Sequence, residues 1–335
     1  MTGPRIDRRY FMLGMTGALV ACGAGAPSAP IRVMLAGSRN DSVNGVWVWA
    51  KRFAEVLEER GVAVKVTFNG ALGSEADRTE LTALALAAVN DTATSEIIAR
   101  TETYTPIGLP FFFDSADQFD RFISDPEFLE PVQRALAPSG LMIADAALLG
   151  SMSGLFTSDV RVSTLEDLNS VRLRAMGRTD LAMIEALGAS GVQVAWEEVP
   201  QALQTGIAQG YFNPPLAPVM FGHGSQIHHF CALRSGIAHR VITLSRHWFQ
   251  SLSGDLLDHV RTALSEAHKA NRAWAASGFE KEMQALASIG VEVTTPDPEE
   301  RARFVERARQ AYSRMAPPEA VQAALRLLDR IGEGK

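Results

Sequence analysis

The sequence predicts an α/β protein of two lobes, and three observations support that prediction. Strand patterns alternate with helix patterns, which is typical of sheets packed between helices. The length of 335 residues exceeds what a single hydrophobic core usually supports. A proline-free run over residues 255–289 keeps one apolar face at helical spacing, and it is longer than helices within one compact lobe usually are.

The first third of the chain shows the alternation clearly. Residues 31–37 (IRVMLAG) and 62–68 (VAVKVTF) have the apolar pattern of strands. Asn44 stands before a helical run and predicts its N-cap. Ser74, with Asp77 three residues later, predicts a carboxylate variant of the capping box at the next helix.

Later elements continue the pattern and predict parallel sheets. Further strands are predicted at residues 140–150, 171–175, 192–196, 237–244 and 291–295. The run 255–289 would extend roughly 50 Å as one helix crossing both lobes; the alternative is two helices with a break at Gly278. Asp297 followed by Pro298 predicts another helix start.

The N-terminus has the features of an export signal. Arg8 and Arg9 precede a weakly apolar stretch that ends near residue 21. Paired arginines favour the twin-arginine export route, and a general secretory signal is the alternative. Residues 1–21 are therefore predicted to be a signal peptide and residues 22–30 a tether, with the protein located in the periplasm.

Residues 19–22 (LVAC) resemble a bacterial lipobox, which predicts Cys22 as the lipid-attachment site; cleavage after residue 30 is the alternative. Removing residues 1–21 takes away three arginines and one aspartate, so the net charge changes from -6 to -8. Cys231 is the other of the 2 cysteines and is predicted to be buried. The acidic balance argues against a nucleic-acid partner.

No pattern predicts catalysis, a cofactor or a metal site. The stretch GSMSG places Met152 where a nucleophile elbow needs serine. The stretch GHGSQI lacks the last glycine of the dinucleotide fingerprint. The histidines do not show zinc-ligand spacing.

One strand carries an unusual pair of cations. Alternation in VRLRA places Arg172 and Arg174 on one face of the strand. Arginine is rarely fully buried unless it is paired. A guanidinium fixed at a strand end is well suited to hold a carboxylate, because its planar fork donates two parallel charge-assisted hydrogen bonds.

Three stretches, FNGALGSEAD, DLNSVRLRA and EEVPQALQTGIAQGYFNPP, resemble the solute receptors of tripartite ATP-independent periplasmic (TRAP) transporters, the DctP-like family. The resemblance implies two Rossmann-like α/β lobes with a central ligand cleft and a long helix spanning both, as in periplasmic binding proteins. The first lobe would comprise residues 31–152 and 240–278, and the second residues 153–239 and 279–332.

The resemblance also implies a function. The protein would capture a small organic carboxylate, close by hinge motion and deliver the solute to the small and large membrane subunits of a TRAP permease. It would act as a monomer and would not be an enzyme. The alternatives are a stand-alone ligand sensor for a signalling partner and an exported enzyme acting on an organic acid.

Three residues of the second lobe match family positions that contact the ligand. Arg174 would hold the carboxylate; a salt bridge to Glu197 or Glu198 is the alternative. Asn213 would hydrogen-bond the same group, unless its amide caps the turn before two prolines. Trp196 would form an aromatic wall, unless it belongs to the core.

The chain departs from the family at two positions. Gly154 stands where many relatives have a second arginine, and Gln209 replaces an aspartate. Arg178 could supply the missing charge, and Met176 is predicted to line the same strand end. Arg172 is predicted to form a surface ion pair.

Loops after first-lobe strands supply the remaining predicted ligand contacts. These are Ser38, Asn40, Trp47, Thr94 and Ser95. The phenylalanines within residues 110–115 (PFFFDS) are predicted to pack the first lobe's core beside the hinge.

Overall fold

The computed structural model describes residues 29–276 and 278–333. The signal peptide, Cys22 and most of the tether lie outside them. The strands are β1 (Ile31–Met34), β2 (Val64–Thr67), β3 (Val89–Thr92), β4 (Leu141–Leu148), β5 (Ser153–Thr157), β6 (Arg172–Ala175), β7 (Ser190–Gln193), β8 (Gly210–Asn213), β9 (His229–Gly236), β10 (His239–Ser245) and β11 (Glu292–Thr294).

The helices surround these strands. They are α1 (Gly45–Glu58), α2 (Glu75–Ala83), α3 (Thr94–Arg100), α4 (Ala116–Ser124), α5 (Pro126–Leu136), α6 (Arg178–Ala186), α7 (Val199–Gln204), α8 (Ala217–Phe221), α9 (Arg246–Ser251), α10 (Gly254–Ala276), α11 (Phe279–Ser288), α12 (Pro298–Gln310), α13 (Tyr312–Met315) and α14 (Pro318–Glu333).

Two sheets define the two lobes. The first has the strand order β2-β1-β3-β10-β4 and the second β11-β9-β5-β8-β6-β7. The chain passes from the first sheet to the second through residues 149–152 and returns through residues 237–238. The two-lobe α/β fold predicted from the sequence is confirmed.

The prediction of purely parallel sheets is wrong. Strand β10 runs antiparallel to both β3 and β4, and β5 runs antiparallel to β8 and β9. The remaining pairs are parallel. Strands β4 and β5, and then β9 and β10, follow each other through very short links, so the crossing chain enters each sheet without a helical crossover.

The predicted helix starts are confirmed. Asn44 accepts hydrogen bonds from the backbone N–H groups of Val46 and Trp47, at 3.1 and 3.3 Å. Ser74 and Asp77 form the reciprocal capping box of α2. Capping satisfies backbone donors that have no partner within the helix.

The apolar run 255–289 forms two helices, so the single 50 Å helix is wrong and the break at Gly278 is correct. Helix α10 spans roughly 35 Å and packs on α1 and β4 of the first lobe. Helix α11 begins at Phe279 and contacts α8 and β11 of the second lobe. The run therefore still passes from one lobe to the other.

The cores follow this division, with one cluster shared. Phe111, Phe112 and Phe113 are buried in a cluster that also holds Leu173 and Leu233 from the second sheet. Their predicted burial is confirmed, but the cluster is shared with the second sheet and is not the first lobe's own core. Cys231 is a buried free thiol, and burial raises its pKa to about 12.

Candidate functional site

The candidate site lies where β6 and β8 run side by side in the second sheet. Arg174 is opposite Tyr211 across this parallel pair. Alternate residues of a strand share one face, so Asn213 lies on the face of Tyr211, at the last position of β8. The carboxyl ends of parallel strands in α/β sheets are common ligand sites.

Arg174 is buried, with 7% of its surface exposed. Its Nε donates to the backbone oxygen of Val194 at 3.0 Å. Its guanidinium lies over the indole ring of Trp196, 5.3 Å from the ring centroid. Among the described residues, the two terminal nitrogens have no hydrogen-bond acceptor and no carboxylate within salt-bridge distance.

This cation is therefore not neutralised in the way that buried arginines usually are. Burial lowers the pKa of Arg174, while the more distant charges of Asp180, Glu197 and Glu75 raise it. The alternative of a salt bridge to Glu197 or Glu198 is not formed. A buried cation that has no carboxylate partner is a candidate for a functional site.

Aromatic side chains surround the guanidinium. Trp196 contacts Tyr211, Phe221 and His223, with ring centroids 6.0, 4.8 and 5.3 Å away. The Tyr211 hydroxyl and His223 Nδ1 are 3.1 Å apart. Burial and the nearby Arg174 charge lower the pKa of His223 to about 4, so its ring is neutral at pH 7.

The Trp196 ring lies against the Arg174 guanidinium, and Asn213 lies two residues beyond Tyr211 on the same face of the sheet. Trp196 stands three residues beyond the end of β7, in the short 3₁₀-helix Trp196–Glu198, and not in the strand. Asn213 is half-buried, and its amide makes no hydrogen bond with any residue that the structure describes. Its predicted role as a ligand contact stays a prediction.

The predicted first-lobe contacts are more scattered. Asn40 is exposed, and its Oδ1 accepts from the Ser42 N–H at 2.9 Å. The backbone oxygen of Ser38 accepts from Asn44 at 2.7 Å. Trp47 is buried in the first-lobe core, and its Nε1 donates a hydrogen bond to the Asp41 carboxylate. We therefore assign Trp47 a packing role, which differs from the predicted ligand contact.

Thr94 and Ser95 begin α3, directly after β3. Thr94 Oγ1 lies 3.2 Å from His239 Nε2, and Ser95 is half-buried. Neither residue makes a described hydrogen bond to the Arg174 group. Their predicted ligand contacts also stay predictions.

Three further residues of the second lobe have different contacts from one another. Arg172 donates to the backbone oxygens of Gly206 and Ile207; the predicted surface ion pair is wrong, because a nearby loop supplies carbonyl acceptors. Arg178, considered as a second ligand cation, forms an ion pair with Glu102 of the first lobe. Met176 is 43% exposed beside these residues.

A network of paired charges lies on the first lobe. Arg240 Nη2 donates to both carboxylate oxygens of Glu75, at 2.8 and 2.7 Å, and also reaches Asp91. The Arg78 guanidinium lies 2.9 Å from Glu75. The Asp91 oxygens accept from the Ala36 N–H at 2.9 and 3.0 Å. Each of these arginines, unlike Arg174, is paired with a carboxylate.

The two lobes approach each other near this network. A Cβ placed on Gly37, in the loop after β1, would lie 3.2 Å from the Met220 sulfur of α8. The charge of Glu75 also acts on Arg174. The Arg174 group therefore lies within electrostatic reach of the first lobe.

Sequence reasoning missed Tyr211, Phe221 and His223. Tyr211 precedes Asn213 by two residues, so strand alternation was a usable signal for it. Phe221 and His223 flank a glycine where a helix leads into a strand. Such a connection has no repeating pattern from which the direction of its side chains could be predicted.

Other features of the described residues lie apart from this site. A cavity of about 760 Å³ opens between residues 112–118 and the last helices; Arg309 in its wall donates to the Phe111 oxygen at 3.2 Å. Because that arginine is exposed whereas Arg174 is buried, we place the ligand site at Arg174. The described residues form no metal-ligating group and no helix able to cross a membrane.

The sequence of this chain matches a known protein family. Residues 35–318 match the model of the bacterial extracellular solute-binding proteins, family 7 (DctP). The chain belongs to this family. It is therefore a solute-binding receptor of the DctP type, and members of this family act in the periplasm.

Two curated relatives illustrate the family. A solute-binding protein of Chromohalobacter salexigens is 28% identical over 269 residues, covering 79% of this chain and 77% of the relative. The C4-dicarboxylate-binding periplasmic protein DctP of Rhodobacter capsulatus is 26% identical over 281 residues, covering 80% and 81%.

Solved structures share the DctP-type fold. The sugar acid binding protein DctPAm of Advenella mimigardefordensis, in complex with galactonate, has a TM-score of 0.81 at 22% identity, covering 90% of this chain and 98% of that one. A TRAP periplasmic solute-binding protein of Shewanella oneidensis with bound succinate has a TM-score of 0.80 at 20% identity, covering 90% and 100%.

Proposed function

We propose that this chain is an extracytoplasmic receptor that binds a small organic carboxylate between its lobes and delivers it to a TRAP-type secondary transporter. The observation that carries the proposal is the buried, unpaired guanidinium of Arg174. A desolvated cation without a partner is costly to keep. An incoming carboxylate would supply the missing acceptor atoms.

The neighbours of Arg174 suit that role. Its Nε bond to Val194 and its stacking on Trp196 hold the fork in one orientation. Both terminal nitrogens remain able to donate to the two oxygens of one carboxylate. The unbonded amide of Asn213, on the same face, can donate a third hydrogen bond.

Closure of the lobes would strengthen this binding. Water competes with exposed hydrogen bonds, and its exclusion lowers the local dielectric constant. Ligand contacts that are complete only in the closed form stabilise that form, because a ligand shifts an equilibrium by its differential affinity. A membrane permease can then distinguish a loaded receptor from an empty one.

Relatives support the ligand class. The structural neighbours with galactonate and succinate hold organic acids, and a curated relative is named for C4-dicarboxylates. Each of these ligands carries a carboxylate, the group that the Arg174 site would recognise.

Calorimetric titration with a panel of organic acids tests the proposal. We expect at least one acid to bind with 1:1 stoichiometry and without turnover. Arg174→Met should abolish that binding, whereas Arg172→Met should leave it intact, since Arg172 is exposed on the same strand and bonded to a loop. An acid that binds equally well to the Arg174 variant would refute the site.

Delivery and anchoring need separate tests. Uptake of the bound acid into cells should require both this receptor and the small and large permease subunits; binding without any uptake would favour the stand-alone sensor. We also propose export through the twin-arginine signal and lipid attachment at Cys22. Cys22→Ser should release the protein from membranes into the soluble periplasmic fraction.

A further inference from the structure

The charges around Arg174 carry information about the ligand beyond its carboxylate. This inference rests on the proposed function, because it takes Arg174 as the ligand-binding cation. We propose that the solute is a monocarboxylate: Arg174 accepts its one carboxylate, and the rest of the ligand carries no second negative charge.

The first argument concerns the sheet face that carries the site. Gly154 of β5 is directly opposite Asn213 in an antiparallel pair. Residues that face each other in such a pair project to the same side of the sheet, so a side chain at position 154 would lie beside Asn213. A Cβ there would collide with the backbone oxygen of Cys231 and with the Phe230 ring. The backbone therefore excludes any cation from this position.

The second argument concerns the other arginines near the site. Arg78 and Arg240 are engaged with Glu75, and Arg240 also with Asp91. Arg178 is paired with Glu102. Among the described residues, two arginines are buried, Arg78 and Arg174. Of these two, Arg174 alone has no carboxylate partner.

The third argument concerns the sign of the surrounding charge. Asp180 and Glu197 are the acids with the largest effect on Arg174; Glu75 of the facing lobe also acts on it but is itself paired with Arg78 and Arg240. The contacts nearest to the guanidinium are aromatic, from Trp196 and Tyr211. A second carboxylate on the ligand would meet rings and negative charge. Like charges placed together at an interface select against the wrong partner.

The test uses acids that differ by one charge at nearly constant shape. Monomethyl succinate is compared with succinate, and galacturonate with the corresponding diacid galactarate, by calorimetry on the purified protein at pH 7.5. In the pair of acids that binds more tightly, we expect the affinity for the monoacid to exceed that for the diacid by at least about tenfold. A diacid that binds tenfold more tightly than its monoacid would overturn the inference.

Two variants make the outcome specific. Glu197→Gln removes an exposed acid that forms no described ion pair, and it should narrow the preference for the monoacid about two- to threefold. Arg39→Ala tests the exposed guanidinium that lies over Trp47 in the first lobe. Loss of tight diacid binding in that variant would show that Arg39 receives a second carboxylate, and the inference would then be wrong.

Failure of this inference differs from failure of the proposed function. If diacids bind tightly and Arg174→Met abolishes that binding, the receptor function stands and the monocarboxylate assignment falls. If monoacids and diacids both bind independently of Arg174, or if no organic acid binds, both proposals fall.

Discussion

Replacing Arg174 by methionine should separate binding from stability. Methionine approximates the length of the aliphatic stem and carries no charge. The fold would lose one hydrogen bond to Val194, worth about 1 kcal/mol, and one cation–π contact with Trp196, worth about 1 kcal/mol. It would gain relief from an unpaired buried charge, whose penalty is several kcal/mol. We expect the free energy of unfolding to be unchanged or higher.

The effect on binding should be large. Two charge-assisted hydrogen bonds to a carboxylate contribute about 3–6 kcal/mol together. Their loss weakens affinity by roughly two to four powers of ten. The protein would thus lose its ligand while keeping its fold, as expected where function is maintained at a cost in stability.

Arg240→Met is the matched control for stability. This substitution removes a positive charge that pairs with Glu75 and Asp91 in the first lobe. Breaking such a buried network lowers the free energy of unfolding by about 3–5 kcal/mol. Thermal unfolding and calorimetry on both variants check the prediction. A drop in Tm for Arg174→Met as large as that for Arg240→Met, or affinity retained within tenfold, would refute the reasoning.

Three further predictions follow from individual residues. Because the pKa of buried His223 is about 4 in the folded state against an ordinary 6.5, the unfolded chain binds an extra proton between these values. Stability is therefore lost as the pH falls from 6.5 to 4, by about 3 kcal/mol, and His223→Gln should flatten that dependence in urea titrations. Gly154→Ala should lower Tm by several degrees through its backbone collision, whereas Gly177→Ala, whose added Cβ would meet nothing within 4 Å, should not. Arg178→Ala should weaken ligand binding less than tenfold in calorimetry, since its ion pair with Glu102 is exposed; a larger loss would make it a ligand cation after all.

Local signals predicted the starts of three helices well. Asn44, Ser74 and Asp297 all cap helices as expected, because a cap depends on a few adjacent residues. The strand that carries Arg174 was equally readable, since its alternation needs no distant partner.

Strand β3 shows what local patterns cannot predict. Its residues Asn90, Asp91 and Thr92 are polar, yet the strand is buried at the centre of the first sheet. Arg240 and Thr243 of β10 pair with Asp91 and Thr92 from about 150 residues away. Only the tertiary structure makes such a strand favourable, so composition alone predicts a loop.

The site was half predictable for the same reason. Arg174 and Asn213 lie at strand ends, where alternation fixes their direction. His223 and Phe221 reach the site from a connection that has no repeating sequence pattern. The sequence alone could not show whether Trp47 lines the ligand site or packs in the core, because its core partners were not known. The single long helix was predicted in place of the break before α11, because one glycine is compatible with either outcome.

The position of β10 affects how the chain can assemble during synthesis. The first sheet holds β10 between β3 and β4, and residues 239–245 leave the ribosome only after the whole second sheet except β11 has been made. Until then β3 and β4 each present an open edge, the kind of surface that promotes misassociation. The first sheet can therefore be completed only late in synthesis, once β10 has inserted between β3 and β4.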